Sequence, residues 1–496
     1  MPTFELGGCA RWWRRACAAF LLWAATGVAS AQTFTTLVNL DRTTGVESGL
    51  TTLVQGTDGN LYGITSDAGG HGAGTVFKVS SSGKLTVLYR FCAQTNCTDG
   101  ALPQVGLVLG ADQNFYGVTT YGGDTAACKL GCGTVFKITP GGALTTLHTF
   151  EGPDGATPYG PLVQGIDGNF YGTTEYGGNT SAACSMGCGT VFRITPAGVL
   201  TRLHSFNGST DGYLPFGALI QGPDSEFYGV TVQGGSGTSC FTTCGTVFVM
   251  ATAGTVTTLH SFDYTDGGLP YAGLVLGNDG NFYGMASLGG TSTVCTLGCG
   301  TVFKMTPGGA LTTLHSFDVT DGAAPMTSLI QGTDGDFYGA TFAGGSSAAC
   351  PGQEGAGGCG TLFKMTPAGA LTTLHNFDVT DGWGADGLFQ STNGTFYGMT
   401  YLGGINDYGT IYSLALGLGP FVQTVPTSGK VGQRVLVLGN NLAGSTSVTF
   451  NGTPAVFSVV SSTLITTLAP AGATTGPVQV ITPSATLTSN VRFRVR

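Results

Sequence analysis

Between residues 33 and 414 the chain runs in short stretches of Val, Thr, Leu, Phe and Tyr, broken by Gly, Asp and Pro. Residues 160–206 show the unit clearly. Residues 161–164 predict a strand a, and Asp167-Gly168 is a hairpin turn signal. Residues 169–174 predict strand b. A Gly177-Gly178 loop carrying Cys184 and Cys188 follows, and residues 190–194 predict strand c. Thr195-Pro196-Ala197-Gly198 turns the chain, and residues 200–206 predict strand d. The Tyr-Gly step of strand b returns at Tyr62, Tyr116, Tyr171, Tyr228, Tyr283, Tyr338 and Tyr397, spaced by 54, 55, 57, 55, 55 and 59 residues. A period in this range signals a repeat architecture. Four short antiparallel strands per repeat predict a β-propeller.

The ends of the repeat region sharpen this expectation. Residues 34–40 match strand d, as in residues 311–317, yet precede any strand a, b or c. The seventh repeat has a (387–390), b (395–400) and c (409–414) and then leaves the pattern. The orphan strand and the vacancy fit each other. The expected fold is therefore all-β: a seven-bladed β-propeller over residues 32–416, closed by the N-terminal strand. Closure removes the exposed sheet edges that invite aggregation. An open solenoid is the rival, but it leaves the matched half-repeats unexplained. After the linker Gly417-Leu418-Gly419-Pro420, residues 417–496 hold further short strand-like runs separated by turn signals, which predict an immunoglobulin-like β-sandwich.

The first 31 residues do not fit this pattern. Arg11, Arg14 and Arg15 precede an apolar run over 16–28 and a small-residue Ala29-Ser30-Ala31 site. This reads as a secretory signal peptide over residues 1–31, too short in its apolar part to span a bilayer. Ala16-Cys17 after Arg14-Arg15 matches a twin-arginine signal poorly, so the general secretory route is expected. The destination is then extracellular or the cell surface, with the periplasm as the other compartment. No later segment resembles a transmembrane helix. Loss of Glu5, Arg11, Arg14 and Arg15 with the leader moves the formal net charge from −9 to −11. Such a balance argues against nucleic acid, which needs a basic footprint. Glycine is abundant at 85 residues, but its place at repeat-locked turns and a 42% hydrophobic fraction argue for folding.

Cleavage leaves six close cysteine pairs: Cys92/Cys97, Cys128/Cys132, Cys184/Cys188, Cys240/Cys244, Cys295/Cys299 and Cys350/Cys359. An even count in an exported chain predicts disulfides. Zinc would need four converging ligands, and each pair sits in its own repeat without a partner His.

The motif G-x-D-G-x-F-Y-G-x-T, then G-T-V-F-K-x-T-P-x-G-x-L-T-T-L-H-x-F and D-G, resembles the GloVer tandem repeat of bacterial choice-of-anchor proteins. Gly332-Thr333-Asp334-Gly335-Asp336-Phe337-Tyr338-Gly339 carries it well. The resemblance covers about residues 33–414 and implies an extracellular repeat protein without an established activity. The tail resembles an IPT/TIG domain through Pro426-Thr427-Ser428-Gly429 and Val448-Thr449-Phe450-Asn451-Gly452. Relatives carry varied C-terminal anchors, whereas this sequence reaches Arg496 without an evident apolar tail or sorting signal.

Candidate chemistry is sparse. No nucleophile elbow, zinc-protease, phosphate-loop or dinucleotide fingerprint stands out, so no catalytic residue and no metal site are assigned. His148, His204, His260, His315 and His375 share one position in strand d. Their recurrence predicts a structural group packing against the next blade. The d-to-a connections carry Asp99, Asp154, Asp211, Asp266, Asp321 and Asp381 before Gly, with Glu47 as the nearest equivalent in the first. Such Asp residues suit turns. Calcium at these loops is the alternative, although one copy supplies two carboxylates where calcium takes about six to eight oxygens. No other cofactor is expected.

In a propeller the d-to-a and b-to-c loops share one face. The residues ending strand b vary there: Asp67, Tyr121, Glu175, Tyr176, Gln233, Phe342 and Tyr401. Variable polar and aromatic groups on a rigid scaffold are how folds host binding sites. Tyr121, Glu175, Tyr176, Gln233, Phe342 and Tyr401 are the candidate ligand-binding residues. The sequence thus points to a non-catalytic adhesion or binding protein for extracellular glycan or protein. A propeller lyase or hydrolase acting on polysaccharide is the alternative, and a purely structural surface protein is a third option.

Overall fold

A computed structural model describes residues 32–49, 51–69, 71–123, 127–180, 184–236, 244–350 and 357–496. The expected leader and Cys240 lie outside them. The described chain is all-β, with a single 3-10 turn at Thr95–Cys97 as its helical element. The repeats form seven successive antiparallel sheets, each ordered a-b-c-d. In the third, the strands are Val163–Gln164, Phe170–Thr174, Thr190–Ile194 and Leu200–Ser205. Strand a starts later than expected, past Pro161, which has no N–H for the ladder.

Strand b is buried along its whole length, as in Leu61–Thr65, Phe115–Thr119 and Phe170–Thr174. The Tyr-Gly step explains how. A Cβ on Gly172 would lie 2.7 Å from Phe192 Cζ and 2.8 Å from Leu162 Cδ2, so strands a and c fill the space a side chain would need. Tyr171 donates its hydroxyl to Asp167 Oδ2 at 2.9 Å, which ties the hairpin turn to the strand. Its ring stacks on Phe227 of the next sheet at 4.0 Å. The same stack joins Tyr62 to Phe115, Tyr116 to Phe170 and Tyr283 to Phe337. Aromatic pairs of this kind add about 0.5–1.5 kcal/mol beyond area burial. Between the last sheet and the first, Tyr397 and Leu61 share one apolar cluster.

The N-terminal strand, Thr33–Asn39, pairs antiparallel with strand c of the seventh repeat, from Thr33↔Ala415 to Asn39↔Thr410. Its register slips between Thr36 and Val38, which leaves Leu37 as a bulge. Strand d of the third repeat slips likewise around Leu203. A bulge bends the strand and exposes its carbonyl. A Cβ on the c-to-d glycine of the following repeat would press that carbonyl, at Gly254 against Leu203 O and at Gly83 against Leu37 O. One interior contact thus recurs where the last sheet meets the first.

Residues 423–488 hold two further four-stranded sheets, and Ser428–Gly429 pairs in parallel with Arg494–Val495. Arg434–Leu438 is central in one and Ser447–Phe450 in the other. Val435, Val437, Val448, Phe450 and Ile465 belong to the core of this module. It touches the a-to-b turns of distant repeats. Thr463 Oγ1 donates to Thr57 O at 2.7 Å, Asn440 Nδ2 to Thr392 Oγ1 at 2.7 Å, and Arg494 to Gln221 O at 2.7 Å. Among the described residues, the opposite face, with the b-to-c and d-to-a loops, makes none of these contacts.

Candidate functional site

The d-to-a loops are held from within. His148 Nε2 meets Asp154 Oδ2 at 2.7 Å, and the same pair recurs as His204–Asp211, His260–Asp266, His315–Asp321 and His375–Asp381. A half-buried imidazole nitrogen needs a partner, and the carboxylate of the same loop supplies it. His375 in addition stacks on Phe34 of the neighbouring sheet at 3.8 Å. In the first repeat Tyr89 takes the histidine position and donates to Asp99 at 2.8 Å. The expectation for Glu47 is corrected. Thr44-Gly45 occupies the Asp-Gly position: Asp41 N donates to Thr44 Oγ1 at 3.0 Å, as Asp378 N donates to Asp381 Oδ1 at 2.9 Å. The strand-d residue here is Val38, which has no ring nitrogen for a carboxylate to serve.

Five disulfides stiffen the loops of this face: Cys92–Cys97, Cys128–Cys132, Cys184–Cys188, Cys295–Cys299 and Cys350–Cys359. Cys244 is also disulfide-bonded.

The strand-b ends divide into two sets, because neighbours on an extended strand point to opposite sides. Tyr121 and Tyr176 line a groove of about 600 Å³ between the second and third repeats, beside Leu130 and Met186. Gln233 prolongs strand b of the fourth repeat and pairs with Tyr213. Glu175, Phe342 and Tyr401 occupy the preceding position. Where that residue is small its hydroxyl bonds a loop carbonyl, as Ser66 does to Glu47 O and Ser287 to Leu269 O. Where it is large it reaches other side chains. Phe342 lies 5.9 Å from Tyr401 and 6.4 Å from Trp383, ring to ring.

A second set of residues went unrecognised in the sequence. Tyr159, Phe216, Tyr271 and Met326 lie four residues before strand a in repeats three to six and line a cavity of about 280 Å³ to which all seven repeats contribute. Tyr159 stacks on Phe216 at 4.1 Å, and Phe216 meets Tyr271 edge-on at 5.1 Å. Tyr159 also donates to Gln104 Oε1 at 3.2 Å. The available signal was Pro-x-x-x-Leu, starting at Pro158, Pro215, Pro270 and Pro325, whose varying second residue lines the cavity; in the copy at Pro103 it is Val105 that lines it.

Glu175 joins the two sets. Burial pushes its carboxyl above the ordinary range, and only the Tyr176 hydroxyl favours the charged form. Burial likewise raises the Tyr159 phenol, with the charges of Glu175, Tyr121, Tyr401 and Tyr271 adding to it. The Tyr271 phenol is raised by burial and by Glu175. Around Tyr401 the neighbouring charges are Glu47, Asp386 and Asp67, which together with burial raise its phenol. The cavity wall is thus aromatic, and Glu175 is close enough to raise the phenols of Tyr159 and Tyr271.

Serial four-stranded sheets, a shared central cavity and disulfide-held loops define an all-β, propeller-like repeat protein with an appended sandwich. The chain belongs to the Gloeobacter/Verrucomicrobia repeat family, whose model matches residues 26–238 and 180–352. An IPT/TIG domain matches residues 420–495. No curated protein matches the chain. Among solved structures, a luciferin-regenerating enzyme is 12% identical, covering 64% of this chain and 92% of that one at a TM-score of 0.38. A gluconolactonase from Xanthomonas campestris is 13% identical, covering 78% and 90% at 0.37. PorZ, a surface component of the type-IX secretion system of Porphyromonas gingivalis, is 15% identical at 0.43, and the match spans 88% of this chain and 58% of PorZ.

Proposed function

We propose that the chain is a closed seven-bladed propeller, exported from the cell, that binds an extracellular glycan or protein at the cavity mouth without transforming it. Closure is supported by the Leu37 bulge and by the cavity that residues of all seven repeats line. Export is supported by the disulfides, which persist in oxidising compartments. The observation that carries the binding reading is the wall of Tyr159, Phe216 and Tyr271 around that cavity. Rigid rings present apolar area at low entropic cost and carry polar edges, which suits the flat faces of sugars. A glycan is the favoured ligand for this reason. Binding of mature protein to a glycan array, with loss in Tyr271→Ala and Tyr159→Ala, tests it. Retention of every array signal in both variants rejects the mouth as the site.

The enzymatic alternative rests on Glu175, whose raised carboxyl suits a general acid. Release of reducing ends or unsaturated products from polysaccharide, abolished in Glu175→Gln, favours it.

A further inference from the structure

A separate cavity, of about 390 Å³, lies where the sandwich meets strand a of repeats three to five. The end of the chain builds one wall of it. Alternate residues of an extended strand point to one side, and Arg492, Arg494 and Arg496 alternate. Ser428 stands in register with Arg494 where their strands pair in parallel. Arg492, Arg494 and Ser428 all line the cavity. Arg494 donates from one nitrogen to Gln221 O at 2.7 Å, and a guanidinium has further N–H donors to offer. Arg492 is exposed, and among the described residues its side chain has no hydrogen-bond or ion-pair partner. Ser428 is only 6% exposed, yet among the described residues its hydroxyl has no partner either. Buried polar groups are nearly always paired, so an unpartnered hydroxyl in the wall of a cavity marks a place for an incoming group.

No Asp or Glu lines this cavity among the described residues. Asp224 and Asp279 each follow a lining residue in sequence, but Tyr228 engages the first at 2.6 Å and Lys304 the second at 2.8 Å. The lysines near other a-to-b turns meet carboxylates, Lys78 at Asp58 and Lys364 at Asp334. Two guanidiniums without an acid therefore stand out in a chain of formal net charge −9. The rest of the wall includes Ile220, Val275 and Leu276, which are apolar. Pockets for small molecules hold about 300–1,000 Å³, against about 30 Å³ for one water.

We propose that this seam binds an organic anion of monosaccharide size, a carboxylate or a phosphate ester. Its anionic group sits on Arg492 and Arg494, a polar substituent on Ser428, and its carbon skeleton against Ile220 and Val275. The guanidinium fork matches both carboxylate and phosphate through paired N–H bonds. An inorganic ion would leave the apolar wall uncovered, and a neutral sugar would leave the guanidiniums unmatched. The site is separate from the wall of Tyr159, Phe216 and Tyr271 and does not depend on what binds there.

Calorimetric titration of the mature chain at about pH 7 and low salt with glucuronate, glucose 6-phosphate, glucose and inorganic phosphate tests this; both sugar acids and the arginines are charged there. At least one of the two sugar anions should bind about tenfold or more tighter than glucose and than inorganic phosphate, and less tightly as salt rises. Which of them binds assigns the charged group. Arg492→Gln should abolish the preference over glucose and leave the thermal midpoint unchanged, because this side chain has no partner to lose. Ser428→Ala should weaken binding of the same anion. Arg434→Gln, at an exposed arginine outside the cavity, should leave binding intact. Equal binding of glucose and the sugar anions overturns the proposal, as does failure of both sugar anions to bind. Inorganic phosphate that binds as tightly as either overturns it in favour of a simple ion site. A preference that survives Arg492→Gln puts the ligand elsewhere and overturns the site.

Discussion

Gln55, in strand a of the first repeat, accepts a hydrogen bond from Thr392 N of the last repeat at 2.9 Å and donates to Thr392 Oγ1 at 2.9 Å. Gln221 accepts from Ile166 N and Gln331 from Asn278 N in the same manner, between repeats adjacent in sequence. Gln55→Ala orphans a buried N–H and should cost about 1–3 kcal/mol. Urea denaturation followed by circular dichroism measures it, and Gln331→Ala, which frees an exposed N–H that water can serve, should cost less.

The repeated hairpin contains two glycines with different duties. Gly172 sits where a Cβ meets Phe192 and Leu162, so Gly172→Ala should overpack the sheet at about 1–3 kcal/mol. Gly168 has φ +81° with nothing near its absent Cβ. Gly168→Asn, which tolerates the left-handed region, should cost less than Gly168→Val. Thermal midpoints of the three variants order these effects.

The His–Asp loops predict acid sensitivity. Burial raises the Asp154 carboxyl, but hydrogen bonds from His148 and from the Glu151 backbone outweigh it and hold it below the ordinary value. A depressed folded value contributes stability above the unfolded pKa and loses it as pH falls through the folded one. Asp154→Asn should therefore flatten the fall in midpoint below about pH 4. In the first repeat, Tyr89→Phe removes a donor from the fully buried Asp99, and about 1–3 kcal/mol should be lost.

Asp386 runs the other way. It is fully buried, Ser48 donates to one oxygen, and its Oδ1 has no hydrogen-bond partner among the described residues. Burial holds its carboxyl well above the ordinary value. Stability from such a group is complete below the unfolded pKa and declines as pH rises toward the folded one. Asp386→Asn should raise the midpoint at pH 8 more than at pH 5, by about 1 kcal/mol or more. A differential scanning series across pH checks it.

Much of this architecture was legible because it repeats. The hydrophobic pattern predicts strand c over residues 190–194, and it is found at Thr190–Ile194. The N-terminal strand was assigned to the last sheet from a vacancy, and it pairs there. The site was harder to read, since recurrence marks construction and the cavity is lined by residues that vary. Glu175 and Tyr176 are neighbours in sequence, yet the charge of one raises the Tyr159 phenol while the other lines a groove, a division that fits strand alternation. Glu47 looked like the missing acid by composition. The hydrogen bond from Asp41 N to Thr44 shows that position, not charge, defines the turn.

The pairing of Thr33–Asn39 with Thr410–Ala415 also constrains the order of events in the cell. The first strand of the repeat region to leave the ribosome must wait for almost the last before its sheet exists. Every shorter nascent chain carries an unpaired edge and a strand without a home, and so invites mispairing with a neighbour. A chain built this way completes its last sheet only after the whole repeat region has been made.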